Sequence, residues 1–401
     1  MPVVNHEIPA AAVTNGPGQY YFGYYNISPW NASGRYLLGL EADFFDRPQR
    51  PDDVARIGLI DTQGGCTWRT LGTTRAWNWQ QACMLQWVGP GYDRWIVYND
   101  LDDGRVVTRL LDVTGGEART LPLPIYCLSR DGTQAISLNF GRVHVTRPGY
   151  GYVTAANPTA DQLAPTDDGL WRMDLATGEH RLILSLAQLA ALKPKDTLDG
   201  AIHWVNHMQF NTDDTRFAVL HRWKRAGVDR TWSTRLLTAA PDGRDVRIVV
   251  DDGMMSHFDW KDNRSITGWG IAGAVSPDRH YYTWDERDRS AEPLGTDVLD
   301  CDGHCSFSPD RRWMLTDSYP RPDTHKRELI LYRMADNLKV VIGRYYSPPE
   351  MKGEIRCDLH PRWDRTGTRV CFDSLHEGRR RMYVADVADV VGAGGGDGHL
   401  A

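Results

Sequence analysis

A unit of roughly fifty residues recurs along this chain, and a repeat restricts the possible folds more than any single motif does. The unit is clearest near the end. It runs from Glu354-Ile355-Arg356-Cys357-Asp358-Leu359-His360-Pro361-Arg362-Trp363-Asp364-Arg365-Thr366-Gly367 through Val370-Cys371-Phe372-Asp373-Ser374 to Arg381-Met382-Tyr383-Val384-Ala385-Asp386. A His precedes a short aromatic strand, an Asp-x-x-Gly turn follows, and two further alternating strands end on Asp. Antiparallel strands joined by tight turns make one blade of a propeller.

Cys301-Asp302-Gly303-His304-Cys305-Ser306-Phe307 repeats the opening of that unit with Cys, Asp and His in register. Asn206-His207-Met208-Gln209-Phe210 and Ser256-His257-Phe258-Asp259-Trp260 match from the His onward. Copies without the His start near Ile27, Met84 and Ile125. Seven copies at a blade-like spacing predict an all-β, seven-bladed β-propeller occupying residues 1–390 as a single domain. The blades fall roughly at 20–70, 71–120, 121–190, 200–250, 251–300, 301–348 and 350–390. An unclosed ring leaves sheet edges unpaired, so the arm 1–19 is expected to supply the outer strand of the last blade. The Gly-rich end, 391–401, reads as a flexible tail. Ser185 to Leu192 is the one expected helix. The 15 Trp, 17 Tyr, 38 Gly and 22 Pro suit aromatic packing between blades and many short turns.

The net charge of -6 gives no general attraction for nucleic acid. No apolar run is long enough to span a membrane. The start lacks a basic stretch followed by an apolar one, which makes a cytoplasmic location the expectation. Seven Cys in a chain of this size read as reduced thiols, with Cys301 and Cys357 as possible metal ligands.

Equivalent positions of a propeller lie on one ring about its axis. His207, His257, His304 and His360 should therefore converge at one channel mouth. Converging imidazoles suit a divalent metal, Mn²⁺ or Zn²⁺. The other reading is a structural His copied by duplication. A second group, Tyr126, Arg142, Arg147, Tyr150 and Arg222, falls in blades three and four near that ring. Its Arg side chains suit a carboxylate, because a guanidinium can bind both oxygens. The insertion 141–152 carries several of these residues among glycines, and such loops carry function disproportionately. Tyr25, Asn26, Gln81 and Arg356 stand in loops opening onto the channel and are substrate-binding candidates. The chain has no GxSxG, no P-loop and no GxGxxG opening a helix.

The His257-Phe258-Asp259-Trp260, Asp302-Gly303-His304-Cys305-Ser306-Phe307 and Arg356-Cys357-Asp358-Leu359-His360-Pro361-Arg362-Trp363 segments resemble the seven-bladed-propeller polysaccharide lyases, the oligogalacturonate lyases and the ulvan lyase group. The resemblance runs from about Tyr20 to Asp386 and is strongest in blades four to seven. It implies β-elimination on an acidic oligosaccharide. The carboxylate is neutralised by metal or Arg, and a base removes the α-proton. Oligogalacturonate lyases have metal-binding His residues around the axis; ulvan lyases of this shape use a Tyr with His and Arg, and a structural zinc. On that resemblance Tyr126 or Tyr150 and His207 are base or acid candidates, Arg142 and Arg222 neutralise the carboxylate, and His257, His304 and His360 hold a metal. The sequence departs from the family at Tyr24-Tyr25-Asn26 in blade one and Gln81 in blade two. It also lacks the Gln-x-x-His-x-His metal motif. A glycoside hydrolase and a non-catalytic glycan-binding propeller are the alternatives. Hydrolysis needs paired carboxylates, and Asp302 and Asp358 read as turn residues. Arg142→Ala is expected to damage turnover more than folding.

Overall fold

A computed structural model describes residues 3–392. Its strands form seven sheets, the blades of one propeller. Blade one holds Gln19–Tyr21, Tyr36–Ala42, Ala55–Asp61 and Thr67–Thr74. In blades two and three the inner strands are short, Gln86–Trp87 and Cys127–Leu128. Blade four is longest on its inner side, with Ile202–Phe210 against Phe217–Lys224. The inner strands of blades five, six and seven are Met255–Trp260, Ser306–Phe307 and Arg362–Trp363.

The chain clasps itself with its first residues. Ala10–Ala12 pairs antiparallel with Arg381–Asp386 and completes blade seven. Val3–Asn5 runs parallel to Leu338–Tyr346 and adds a fifth strand to blade six. The arm thereby covers two strand edges that would otherwise be open to pairing with other chains.

The repeat has a direct packing rationale. The tryptophans three positions after His257 and His360 reach the preceding blade. Trp260 Nε1 donates to the Gln209 carbonyl of blade four at 3.2 Å, and Trp363 Nε1 to the Ser306 carbonyl of blade six at 3.3 Å. Blade two follows the same rule without a His: Trp87 Nε1 donates to Pro29 O at 2.9 Å. These indoles are buried, so each hydrogen bond satisfies a group that would be costly to leave unpaired.

The helix expected at Ser185 to Leu192 is present, and two further α-helices were not expected. Leu186–Ala191 forms with Ser185 as its cap, in a reciprocal capping box with Gln188. A second helix, Phe140–Thr146, lies inside the insertion of blade three, where Asn139 accepts from the Arg142 N–H. A third, Ala388–Gly392, takes up the first two residues assigned to the tail, and Val391 packs on the core of blade seven. Residues 393–401 lie outside the described residues. Among the described residues no helix is long and apolar enough to cross a membrane.

Candidate active site

The inner strands are bent where the histidines sit. The register of blade four shifts between Asn206 and Met208, and His207 adopts φ +51°. Blade five shifts between Met255 and Phe258, around His257, and His360 has φ +41°. A non-glycine residue in this region is strained, and bulges re-aim side chains. The result is one layer of imidazoles on the axis. Ring centroids of His257 and His304 are 4.1 Å apart, those of His304 and His360 4.3 Å, and those of His207 and His257 6.0 Å. All four side chains are buried.

Tyr24 of blade one occupies the middle of this layer. Its ring stacks on His207 at 5.0 Å and stands within 6.5 Å of His257, His304 and His360. Burial, reinforced by Tyr150 and Tyr25, pushes the Tyr24 phenol well above its ordinary range, so it stays protonated. Its hydroxyl lies 3.3 Å from His207 Nε2. Tyr25 crosses the axis beneath it, its hydroxyl donating to Phe258 O at 2.9 Å and accepting from Phe258 N at 3.0 Å.

Carboxylates fix two of the imidazoles. His257 Nδ1 lies 3.0 Å from Asp302 Oδ1, and His304 Nδ1 lies 2.8 Å from Asp317 Oδ1. A carboxylate accepts the Nδ1 proton, which leaves Nε2 of each ring with its lone pair. The Nε2 atoms of His304 and His360 are buried without a hydrogen-bond partner. Burial, then His304, holds His360 well below the ordinary histidine range, and burial with the same neighbour lowers His257.

His304, Asp358 and His360 bring one donor atom each within 4.8 Å of one another. Two unpartnered imidazole nitrogens and a carboxylate oxygen are a donor set that fits Mn²⁺ or Zn²⁺. Asp358 is also gripped by Arg327 at 2.8 Å and Arg356 at 2.6 Å. Burial opposes its ionisation, but those two guanidiniums outweigh it and hold the carboxyl well below its usual range. Asp358 is thus no turn residue. Its Asp-x-His spacing, shared with Asp302-Gly303-His304, was the signal for it. Cys357 instead packs with Met351 and Leu375, and neither it nor Cys301 joins the donor set.

The cationic group divides. Arg222 is buried, with Nε and Nη1 unpartnered, and burial with help from Arg147 pulls it down to about 10. Tyr150 stands 5.6 Å from His207 and accepts from Arg356 Nη2 at 2.6 Å. Tyr126 supports the layer from the side: its hydroxyl accepts from the His207 N–H at 2.9 Å and from Gln81 Nε2 at 2.7 Å. Gln81 Nε2 is therefore taken up by Tyr126, while its Oε1 is buried without a partner. Arg142 stands apart. It donates to the carbonyls of His203, Thr159, Gln162 and Leu163 and staples the insertion to blade four. Every face of its fork is satisfied by backbone, so it cannot neutralise a ligand. Tyr319, read from the sequence only as part of a turn, has its ring 6.2 Å from His304 and is 37% exposed, at the rim.

A cavity of about 370 Å³ opens at the other end of the channel, beyond Tyr25, lined by Asn26, Gln209, Asp259 and Ser306 among others. Asn26 therefore faces away from the histidines. None of the four imidazoles lines this cavity.

No family model matches the chain, and no curated protein matches it. Among solved structures it is similar to an oligogalacturonate lyase in complex with manganese, with TM-score 0.68 and 18% identity over 96% of this chain and 94% of that one. An oligogalacturonate lyase from Vibrio parahaemolyticus gives TM-score 0.65 and 16% identity over 95% and 94%. The β-propeller domain of the trilobed protease from Pyrococcus furiosus gives TM-score 0.53 and 10% identity over 91% and 96%. At these identities the likeness is one of fold: the chain is a seven-bladed propeller of the shape seen in oligogalacturonate lyases.

Proposed function

We propose that this chain is a polysaccharide lyase-like enzyme that cleaves uronic-acid-containing oligosaccharides by β-elimination. One observation carries the reading. Arg222 is a buried guanidinium without an anion, in the layer of His207 and His257, imidazoles that burial keeps neutral. An unpaired buried cation is costly unless a ligand completes it. A planar carboxylate does so with two parallel hydrogen bonds. Neutralising that carboxylate is what makes the adjacent C–H acidic enough to lose its proton.

His257 is the base the geometry favours. Asp302 holds its Nδ1 proton, and its Nε2 makes no hydrogen bond to any described residue. His207 is less suited, because Tyr24 already occupies its Nε2. The proton that His257 takes up then passes to the departing sugar oxygen, so one imidazole serves both ends of the elimination. The similarity in shape to a manganese-bound oligogalacturonate lyase supports a metal at His304, Asp358 and His360, which would add positive charge beside the same carboxylate. Hydrolysis is disfavoured because the carboxylates are committed: Asp302 to His257, Asp317 to His304 and Asp358 to two arginines.

The test is incubation with a panel of uronate oligosaccharides. A rising ultraviolet absorbance from the unsaturated uronate is expected. New reducing ends without that absorbance would identify a hydrolase. Neither signal across the panel would leave a glycan-binding propeller.

A further inference from the structure

The cavity beyond Tyr25 has a guanidinium of its own without an anion. Arg365, from blade seven, lies 3.7 Å over the ring of Tyr92, and its Nε donates to Trp30 O at 3.0 Å. Its two Nη groups make no hydrogen bond or ion pair with any described residue. Arg130, from blade three, stands beside it: Tyr92 Oη donates to the Arg130 carbonyl at 2.9 Å, and the exposed Arg130 side chain is likewise unpaired among the described residues. Burial, with Arg130 adding to it, pulls Arg365 below its ordinary value. Asp93 acts the other way, but it accepts from Asn31 Nδ2 at 2.7 Å and pairs with neither arginine. The carboxylates that line the cavity are occupied. Asp259 accepts from Gln209 Nε2 at 2.5 Å and Phe307 N at 2.8 Å, and Asp364 pairs with Arg369 at 3.1 Å.

The cavity, about 370 Å³, is on the scale of small-molecule sites. Its wall also holds acceptors without donors. Gln209 spends its Nε2 on Asp259, so its Oε1 can only accept, and that atom, Asn26 Oδ1 and Ser306 Oγ are buried without a partner. A buried polar atom left unpaired is costly, and the hydroxyls of a ligand would satisfy these. At the arginines the demand is for negative charge. A carboxylate offsets one guanidinium, whereas a phosphate monoester carries nearly two charges and oxygens enough for both.

We infer that this cavity binds a small hydroxylated phosphate monoester, with the phosphate on Arg365 and Arg130 and the hydroxyls toward Ser306, Gln209 and Asn26. The site lies apart from the histidine layer and is independent of the elimination reading.

The test titrates glycerol 3-phosphate, inorganic phosphate, glycerol and glycerate into the full-length protein by calorimetry at constant ionic strength. Glycerol 3-phosphate should bind roughly ten- to a hundredfold more tightly than glycerate or glycerol, the scale of one charge-assisted hydrogen-bonded contact. It should also bind more tightly than inorganic phosphate. Arg365→Gln should weaken the ester by a similar factor. Arg130→Gln, at an exposed side chain, should weaken it with no loss of melting temperature. Ser306→Ala removes one hydroxyl that has no partner in the fold and should weaken the ester about fivefold. Arg222→Ala, at the other end of the channel, should leave this affinity unchanged. No binding of glycerol 3-phosphate, equal affinity for glycerate, or equal affinity for inorganic phosphate would overturn the assignment. Wild-type affinity in both Arg365→Gln and Arg130→Gln, or a loss in Arg222→Ala instead, would overturn the site.

Discussion

Asp317 holds His304 twice: Oδ1 accepts the backbone N–H at 2.8 Å and lies 2.8 Å from Nδ1 of the same residue. Backbone and ring are thereby locked together, and Nε2 is turned toward Asp358 and His360. A carboxylate behind a ligating imidazole fixes its tautomer and raises its basicity. Asp317→Asn should therefore weaken Mn²⁺ or Zn²⁺ binding by about ten- to a hundredfold, and His304→Ala should weaken it further. Titration of chelator-treated protein with each metal measures this. Wild-type affinity in Asp317→Asn would show that the imidazole needs no such support.

Arg142 yields the opposite of what its place among glycines suggests. Removing its side chain strips donors from the carbonyls of His203, Thr159, Gln162 and Leu163. Arg142→Ala should cost about 3 kcal/mol of stability, read as a lower urea midpoint at constant slope. Residual folded enzyme should keep its kinetics more nearly than Arg222→Ala does. A normal midpoint with lost turnover would return Arg142 to the site.

These cases mark what sequence can reveal. The propeller and the histidine layer were legible because both are written locally: His at one position and an aromatic three later recur at blade spacing. Asp358 was misread because its partner, Arg327, belongs to the preceding blade. Asp302 likewise reaches back one blade, to His257. Asp-x-His is the same text in both places, yet the carboxylate fixes the preceding blade's imidazole in one and lies within 4.8 Å of two imidazoles in the other. Tyr24 was passed over because no repeat copy points to it; its place depends on ring closure. Arg142 misled because an Arg saturated by carbonyls and an Arg waiting for an anion have identical local sequence.

The closing arm can be tested at one atom. Val13 N donates to Met382 O at 2.9 Å, and the ladder alternation then makes Ala11 N–H a donor to blade seven while Ala12 N–H faces outward. Ala11→Pro removes that donor and should cost on the order of 3 kcal/mol. Ala12→Pro should cost much less, because an edge strand tolerates Pro on its open side. Melting temperatures of the two variants compare them. Equal losses would mean that the ring is held shut elsewhere.

The last prediction concerns acid. Arg235 Nε donates to His221 Nδ1 at 3.1 Å, so that nitrogen carries no proton. His221 Nε2 then donates to His203 Nδ1 at 3.0 Å, and His203 Nε2 to Leu198 O at 3.3 Å. The chain runs one way and needs both rings neutral, because an added proton would face another N–H or the Arg235 charge. Burial pulls His203 from 6.5 down to about 4 and lowers His221 strongly, with Arg235 adding to the latter. Between those values the unfolded chain binds protons that the folded one refuses, so stability is complete above 6.5 and falls as pH drops toward about 4. His207, His257 and His360 are depressed as well and act with the same sign. His203→Gln keeps an acceptor for His221 and a donor for Leu198 while removing one titration. Its melting temperature should decline less steeply with acid than that of the wild type over this range, and parallel curves would show that the pair does not carry the effect.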